Sequence, residues 1–369
     1  MTASTIASPS RVRSPSRAAT VGAAGLVILL VLPLVIENIY YQHVLIICLV
    51  YVVLGHAWNL VGGYAGQWSL GHAAFFGLGA YTSTLLLLEM NVSPWLGMLA
   101  GGLVAAGVAC VIALPCFRLR THYFAMATLA IGETLRVLFL AFEWTGGANG
   151  LVLPVQRMPS WYAMLWESKL PYFYVVLAMA VAMTLVIVQV ERSRLGIYLR
   201  AINQDEEAAA RLGIDPRRYK LAALAGSAFV TGATGTFYAQ YTTYIDPFSV
   251  MPTMLSVRMV LVPVFGGVGT VVGPIIGAFA LIPLSEITRV WWGGRGVGID
   301  QVVYGGIIVS ITLWAPGGVV ALWRRWRRGR VAVRGSARRA KSEPSQTNPR
   351  LPTGKSGTPN RRRAERDES

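Results

Sequence analysis

The chain has 369 residues, of which 54% are hydrophobic and 14% charged, and its formal net charge is +16. Soluble domains carry nearer a quarter charged residues, so this composition excludes an ordinary soluble enzyme or binding module. The positive charge does not indicate a nucleic-acid-binding protein. Residues 324–369 hold 15 Lys and Arg against 4 Asp and Glu, so 11 of the 16 net charges lie in one terminal segment.

Long apolar runs recur along the chain, and several reach the length that a helix needs to cross about 30 Å of hydrocarbon. The runs do not alternate with period two, so a membrane β-barrel is not expected. We therefore predict an all-α, polytopic transmembrane helical bundle of about 8–10 spans. The runs cover residues 21–36, 44–61, 69–88, 94–115, 122–141, 172–190, 219–243, 253–267, 271–290 and 301–322.

Polar segments flank the apolar runs at both ends. Residues 1–20 are predicted to form a cytoplasmic tail, and no small-residue cleavage site follows the first run, so that run is interpreted as an uncleaved span. Residues 21–323 are the predicted transmembrane domain. Residues 324–369 are rich in Arg, Pro, Ser and Gly, and we expect a disordered basic cytoplasmic tail that contacts anionic membrane lipid.

Lys and Arg residues are distributed unevenly between the predicted loops. The segment 191–220 carries seven of them, the segments 37–43 and 89–93 carry none, and the long segment 142–171 carries two. Because cytoplasmic loops are enriched in Lys and Arg, this asymmetry places both termini and 191–220 in the cytoplasm. The segment 142–171 is predicted to lie outside.

The cytoplasmic segment 191–220 contains the signals of a short helix. Asn203 is the predicted N-cap with Glu206 three residues on, Arg211 lies in the last turn, and Gly213 supplies a left-handed stop. Asp215 and the proline after it then start the next element. Two interpretations remain open from spacing alone: a structural connector, or a docking helix that transmits force from a partner.

A glycine-rich segment, Gly62–His72, precedes the third run and continues through further small residues. Small residues let helices approach closely in lipid, which favours tight packing with satisfied polar groups. The alternative is a lining of the translocation path, because irregular backbone at membrane depth is either covered by protein or lines a cavity. The candidate path residues here are Gly66, Gln67, Ser69 and His72; with no second ligand near His72, no metal site is expected.

Few ionisable residues lie inside the predicted spans. Glu133 and Arg136 are three residues apart, as are Glu286 and Arg289, so each pair can neutralise itself on one helix face. A role in the path is the alternative, since charges within a membrane are costly and usually face protein or water. Glu133 is therefore a candidate path residue. Gly273-Pro274, at the end of the glycine-rich segment 265–274, is predicted to break one helix and begin another, either at a transport site or at a tight cytoplasmic turn.

The chain lacks several chemical signatures. It contains no phosphate-binding loop of the G-x-x-x-x-G-K-[ST] type, so we expect no ATPase site, and no catalytic residues or cofactor are predicted. Cys48, Cys110 and Cys116 lie in or beside apolar runs without metal or disulfide spacing, and are interpreted as small packing residues.

Seven blocks in order resemble the LivM-type permeases of branched-chain amino acid ABC importers, over roughly residues 20–323. The resemblance implies a transmembrane permease subunit in a bacterial inner membrane that moves leucine, isoleucine or valine by using ATP hydrolysed in partner subunits. Thr121 and His122 depart from the pattern, where relatives more often have a glycine and an acid. The blocks are Asn59–Thr82, Arg118–Ala130, Thr145–Leu151, Leu199–Ile214, Asp246–Ser249, Gly266–Pro274 and Ala315–Gly318.

The same resemblance implies partners and a coupling site. The expected partners are a second permease of similar fold, two ATP-binding subunits and a periplasmic or lipid-anchored substrate-binding protein, with no nucleic acid. The cytoplasmic helix matches the family's coupling motif, which docks in a cleft of the ATPase, so the resemblance favours docking over a connector. Its predicted residues are Glu207, Ala208, Ala209, Arg211 and Gly213.

Two other functions compete with this interpretation. One is a related ABC permease for urea, short amides or sugars, and the other is a secondary transporter or channel that works without ATPases. Because the binding protein supplies most of the substrate specificity, the permease sequence alone does not decide the first alternative.

Overall fold

A computed structural model describes residues 15–117, 119, 121–153, 161–292, 302, 305–306, 309 and 318–320. Several predictions lie outside the described residues: the tail at 324–369, the first fourteen residues of the N-terminal tail, Arg118, Arg120, and most of the last apolar run. Residues 15–20, predicted as tail, are helical and belong to the first helix.

The described chain is almost entirely helical, and nine of the ten predicted runs correspond to helices, which confirms the fold class. Two short strands, β1 (Leu151–Val152) and β2 (Tyr244–Ile245), pair antiparallel with Leu151 opposite Ile245. The helices are α1 Pro15–Val35, α2 Ile39–Asn59, α3 His72–Met90, α4 Pro94–Cys116, α5 Thr121–Ala141, α6 Lys169–Arg192, α7 Arg194–Gln204, α8 Glu206–Arg211, α9 Pro216–Thr242, α10 Pro247–Val250, α11 Thr253–Gly266 and α12 Val272–Trp292.

Seven segments of the described chain are long and apolar enough to cross a membrane. They contain α2 to α6, the pair α10–α11, and α12. The predicted span 219–243 is not among them, although α9 covers it with 27 residues. This helix is rich in Ser, Thr, Gly and Ala rather than in large apolar residues, because it lies inside the bundle and packs on other helices.

The centre of the bundle is built from close helix contacts. Helix α9 packs against α3 and α4, where a Cβ on Gly235 would lie 1.9 Å from the carbonyl oxygen of Phe76. Thr236 Oγ1 donates to the carbonyl oxygen of Gly79 at 3.0 Å. Such small and hydroxylated residues let backbones approach where no hydrophobic driving force exists between helices. On the other side, α2 is buried among α6, α11 and α12.

Two interruptions of the helices determine where the functional residues lie. Helix α2 ends in a π-helical turn, Leu60–Tyr64, and the chain is then irregular until α3 begins at His72, with Gly66 at φ +70°. Between α11 and α12, residues 267–271 form a turn in which Gly267 and Gly269 have positive φ. The sequence predicted a break at Gly273-Pro274, but α12 already includes both residues, because proline fits the first turn of a helix.

Candidate coupling helix and translocation site

Helix α8 starts at a different cap from the one predicted. Asp205, not Asn203, is the N-cap of α8, and its Oδ1 accepts a hydrogen bond from the Ala208 amide at 3.0 Å. Asn203 instead lies in the last turn of α7, which continues to Gln204. The prediction of Asn203 as the cap was wrong because its side chain has another partner in the membrane domain, while an aspartate caps a helix equally well and adds favourable charge.

The end of α8 follows the prediction. Gly213 has φ +83°, and the Ile214 amide donates to the Ala209 carbonyl at 3.2 Å, which closes the helix with a left-handed residue. Asp215 then caps α9 by accepting from the Arg217 amide at 3.1 Å. Helix α8 is therefore held by a cap at each end, within a few residues of two longer helices.

Helix α8 has an inward and an outward face. On the inward face Ala209 is 3% exposed, and Glu206 forms an ion pair of 2.6 Å with Lys220, whose side chain is 5% exposed. The outward face presents Glu207, Ala208, Ala210, Arg211 and Leu212. Of these, Glu207 and Arg211 form a loose pair at 3.9 Å.

Leu212 is the residue that sequence reasoning missed. It is 82% exposed at the tip of α8, beside Gly213. Leu212 adds a large apolar side chain to the charged and small residues of the outward face of α8. Ala209, in contrast, faces its own chain, so it contributes to holding α8 in place and leaves Ala208 as the small residue available to a partner.

Helix α7 contacts the interrupted end of α2 directly. Asn203 Nδ2 donates to the Gly63 carbonyl oxygen at 3.1 Å, and a Cβ on Gly66 would lie 2.2 Å from Asn203 Oδ1. One turn earlier, the Arg200 guanidinium lies 5.3 Å from the Tyr64 ring centre and also forms an ion pair with Glu191. Gly66, a predicted path residue, therefore serves as the contact point between α7 and the membrane domain.

The same interruption is fixed to the turn between α11 and α12 by Asn59. Its Nδ2 donates to the Thr270 carbonyl oxygen at 3.1 Å, and its Oδ1 accepts from the Gly269 amide at 2.8 Å. A Cβ on Gly63 would lie 2.0 Å from Asn59 Oδ1, so glycine is required there. The interruption after α2 and the turn between α11 and α12 thus meet at one place, beside the end of α7, and the spacing of the sequence alone carried no signal that would have paired them.

The remaining predicted residues of the glycine-rich segment are buried. Trp58 Nε1 donates to the Ser69 carbonyl oxygen at 2.8 Å, and the Gln67 amide donates to the Val61 carbonyl oxygen at 3.0 Å. His72 Nε2 lies 2.9 Å from Ser227 Oγ, whose proton goes to the Ala57 carbonyl at 2.6 Å. His72 therefore donates from Nε2, and its Nδ1 is a buried acceptor without a partner.

The first turn of α3 receives side-chain partners from two other helices. The Leu70 amide donates to Thr128 Oγ1 of α5 at 3.0 Å, and the Ala73 amide donates to Ser256 Oγ of α11 at 2.8 Å. These contacts satisfy backbone donors that lie inside the bundle. The geometry around Ser69 and His72 favours tight packing over an open path.

Glu133 lies in a different environment, on the side of α5 that faces α10 and α11. It forms the predicted ion pair with Arg136, and its second oxygen accepts from Thr253 Oγ1 at 3.1 Å. The Arg136 guanidinium lies 5.2 Å from the Phe248 ring centre. The side chains of Glu133 and Arg136 remain 42% and 18% exposed. The first turn of α11 thus contacts α3 through Ser256 and α5 through Thr253.

The second predicted pair also forms. Arg289 lies 3.6 Å from Glu286 on α12, with the carboxylate mostly buried and the guanidinium exposed. Among the described residues, no group of three or more His, Cys, Asp or Glu side chains is placed to hold a metal ion. Cys48 and Cys116 are buried, Cys110 is half-buried, and all three are free thiols, as expected of packing residues.

Comparison with known proteins identifies the family. The family described as "Branched-chain amino acid transport system / permease component" matches residues 40–312, which include all of the sites above. The chain belongs to this family. This permease is 29% identical over 298 residues to the high-affinity branched-chain amino acid transport system permease protein LivM of Escherichia coli, covering 75% of this chain and 69% of the relative.

A second relative has nearly the same similarity to this chain. The LivM protein of Salmonella typhimurium is 28% identical over 298 residues, with the same shares of both chains covered. No solved structure matches the permease. Family membership and the apolar helices together make the chain a multi-pass membrane protein and a component of a transport system, and they confirm the resemblance that its sequence blocks indicated.

Proposed function

We propose that this chain is a transmembrane subunit of an ABC importer that moves leucine, isoleucine and valine across the bacterial inner membrane. The observation that carries this proposal is the family match over residues 40–312, together with relatives named for branched-chain amino acid transport. ATP is hydrolysed by partner subunits, since the chain has no phosphate-binding loop of its own.

Helix α8 is the part of the chain that docks on an ATP-binding subunit. Its outward residues form a small contact surface with a negative and a positive side chain, Glu207 and Arg211, around the exposed Leu212. Ala208 leaves room for the helix to enter a cleft. Apolar residues at the centre of an interface with charges around them are the arrangement that binds protein partners.

Movement of the ATP-binding subunits reaches the membrane through α7. Asn203 and Arg200 on this helix contact Gly63 and Tyr64, so a displacement of α8 and α7 acts on the interrupted end of α2. An ion pair between Glu206 and the buried Lys220 ties α8 to α9 as well. A rigid connection is needed because a flexible loop would absorb the displacement.

The remaining partners and the sidedness follow from the same assignment. A second permease of similar fold, two ATP-binding subunits and a substrate-binding protein complete the importer. Both termini lie in the cytoplasm. In the sequence, the tail 1–20 precedes the permease domain 21–323 and the tail 324–369 follows it. The basic tail contacts anionic lipid, which attracts Lys and Arg near the cytoplasmic leaflet.

Uptake into proteoliposomes tests this function. The complete complex, reconstituted with its binding protein, is expected to accumulate radiolabelled leucine, isoleucine and valine only when ATP is supplied. Uptake of urea, amides or sugars alone would assign the permease to the related class, and amino acid movement without ATP would make it a secondary transporter. A complex that lacks the ATP-binding subunits is the matched control.

A further inference from the structure

The pair Glu133–Arg136 lies near the middle of a helix at the periphery of the bundle. Helix α5 has 21 residues, and Glu133 is about 18 Å along it from Thr121 and about 12 Å from its other end. Only 11% of the span Tyr123–Ala141 is buried within this chain, compared with 89% for the span that contains α2. The described residues of this chain therefore leave most of α5 open to its surroundings.

Hydrocarbon is a poor environment for this part of α5. A carboxylate that is 42% exposed is costly in lipid near the middle of a span. Water or a second permease subunit must therefore cover the pair. A face that carries a paired charge and also contacts water is the expected surface of a transport path between two permeases.

The groups around the pair match the charges of one class of solute. Arg136 offers guanidinium donors that fit a carboxylate, and Glu133 offers an acceptor for an ammonium group. Thr253 holds the second oxygen of Glu133 at 3.1 Å and so fixes the carboxylate. Phe248, which is exposed and has the Arg136 guanidinium over its ring, provides apolar surface next to the charges.

We propose that Glu133, Arg136, Thr253 and Phe248 form a transit site for α-amino acid zwitterions with aliphatic side chains. The α-carboxylate binds Arg136, the α-ammonium binds Glu133, and the side chain lies over Phe248. This inference rests on the proposed import of branched-chain amino acids and names the residues that recognise them in the membrane. An uncharged solute such as urea or a sugar carries no charged groups that could bind to Glu133 and Arg136.

The self-neutralised pair also explains how such a site releases its solute. Each charge of the arriving zwitterion replaces a contact that Glu133 and Arg136 make with one another, so the net gain is small. Transport sites need binding that is favourable enough to admit the solute and weak enough to let it leave. Two unpaired charges would bind more tightly and would cost more when the site is empty.

Neutralising both charges separates this role from a structural one. Leucine uptake by the complete complex in proteoliposomes is measured for Glu133→Gln, Arg136→Gln and the double variant. If the pair serves only to neutralise itself, the single variants are defective and the double variant recovers, because no unpaired charge remains. We expect instead that the double variant assembles with its partner subunits and transports leucine about tenfold more slowly, with fewer molecules moved per ATP.

The pair Glu286–Arg289 on α12 provides the matched control, since it has the same spacing and lies away from α5. The double variant Glu286→Gln with Arg289→Gln is expected to transport leucine at the wild-type rate. Normal uptake by the α5 double variant, or its failure to assemble, would overturn the transit site. Absence of branched-chain amino acid uptake in the wild-type complex would overturn the proposed function itself, so the two failures are distinguishable.

Discussion

Asn203 of helix α7 donates a hydrogen bond of 3.1 Å to the carbonyl oxygen of Gly63, in the π-helical turn that ends α2. The bond joins residues 140 positions apart in the sequence. In a π-helical turn the regular backbone pairing changes, which makes carbonyl groups available to other partners. Asn203 therefore links the part of the chain nearest α8 to an interruption inside the membrane domain.

Replacing Asn203 by alanine is expected to separate hydrolysis from transport. The variant loses a single hydrogen bond, worth roughly 1 kcal/mol, so it inserts and retains the ATP-binding subunits. Uptake per ATP hydrolysed should fall several-fold, as measured in proteoliposomes. Gln204→Ala, at the exposed next residue, is the control and should behave as wild type. Equal coupling ratios in both variants would show that this hydrogen bond does not transmit the movement.

Leu212 is expected to be the main apolar contact with the ATP-binding subunit. Leu212→Asp places a charge where an apolar side chain should be buried, and we expect the ATP-binding subunits to be lost on co-purification while membrane abundance stays normal. Glu207→Lys should weaken the same association less, because that residue lies at the edge of the surface. Full retention of the subunits by the Leu212 variant would exclude this face of α8 from docking.

The two central alanines of α8 should respond differently to tryptophan. Ala208→Trp adds bulk on the outward face and is expected to block docking at normal abundance. Ala209 is buried against its own chain, so Ala209→Trp should lower the amount of folded protein in the membrane by overpacking. Fluorescence-detected size-exclusion chromatography separates the two effects. Identical profiles for the two variants would contradict the assignment of faces.

Gly213 is required for its backbone conformation and not for space. It has φ +83°, and an added Cβ would meet no atom within 4 Å. Gly213→Val should therefore strain the end of α8 by about 1–2 kcal/mol and reduce co-purification of the ATP-binding subunits. Gly213→Asn is the matched control, since asparagine tolerates the left-handed region. If valine and asparagine give the same retention, the left-handed stop does not matter for docking.

Sidedness is testable with single cysteines in a background that lacks Cys48, Cys110 and Cys116. Ala210→Cys on α8 should be protected from an impermeant thiol reagent in intact cells, whereas Glu143→Cys in the long outer loop should react. Both positions are exposed, so accessibility of the side chain does not confuse the result. Labelling of the first and protection of the second would reverse the topology.

The bundle and the coupling helix were predictable because their signals are local. Apolar length predicts spans, and Gly213 with Arg211 predicts where α8 ends. The cap was misassigned because Asn203 and Asp205 are both good capping residues, and only tertiary structure shows that Asn203 bonds to Gly63. Contacts between segments far apart in sequence decide such cases.

Residue roles within the glycine-rich segment were less predictable. Ser69 and His72 carry polar groups at membrane depth, which is equally expected of a path and of a satisfied core. The choice depends on partners such as Ser227 and Ser256, which come from other helices. Glu133 differs from them because α5 leaves it at the surface, and helical spacing alone gives no orientation relative to the bundle.

We expect the residues on the two faces of α8 to have been substituted independently of one another during evolution. Ala209 and the Glu206–Lys220 pair depend on residues of the same gene, so changes there should be compensated within this chain. Leu212, Glu207 and Arg211 depend on a surface encoded elsewhere, so they should covary with the ATP-binding subunit across genomes. One six-residue helix would then divide into positions that can be exchanged between permeases and positions that can be exchanged only together with the ATPase.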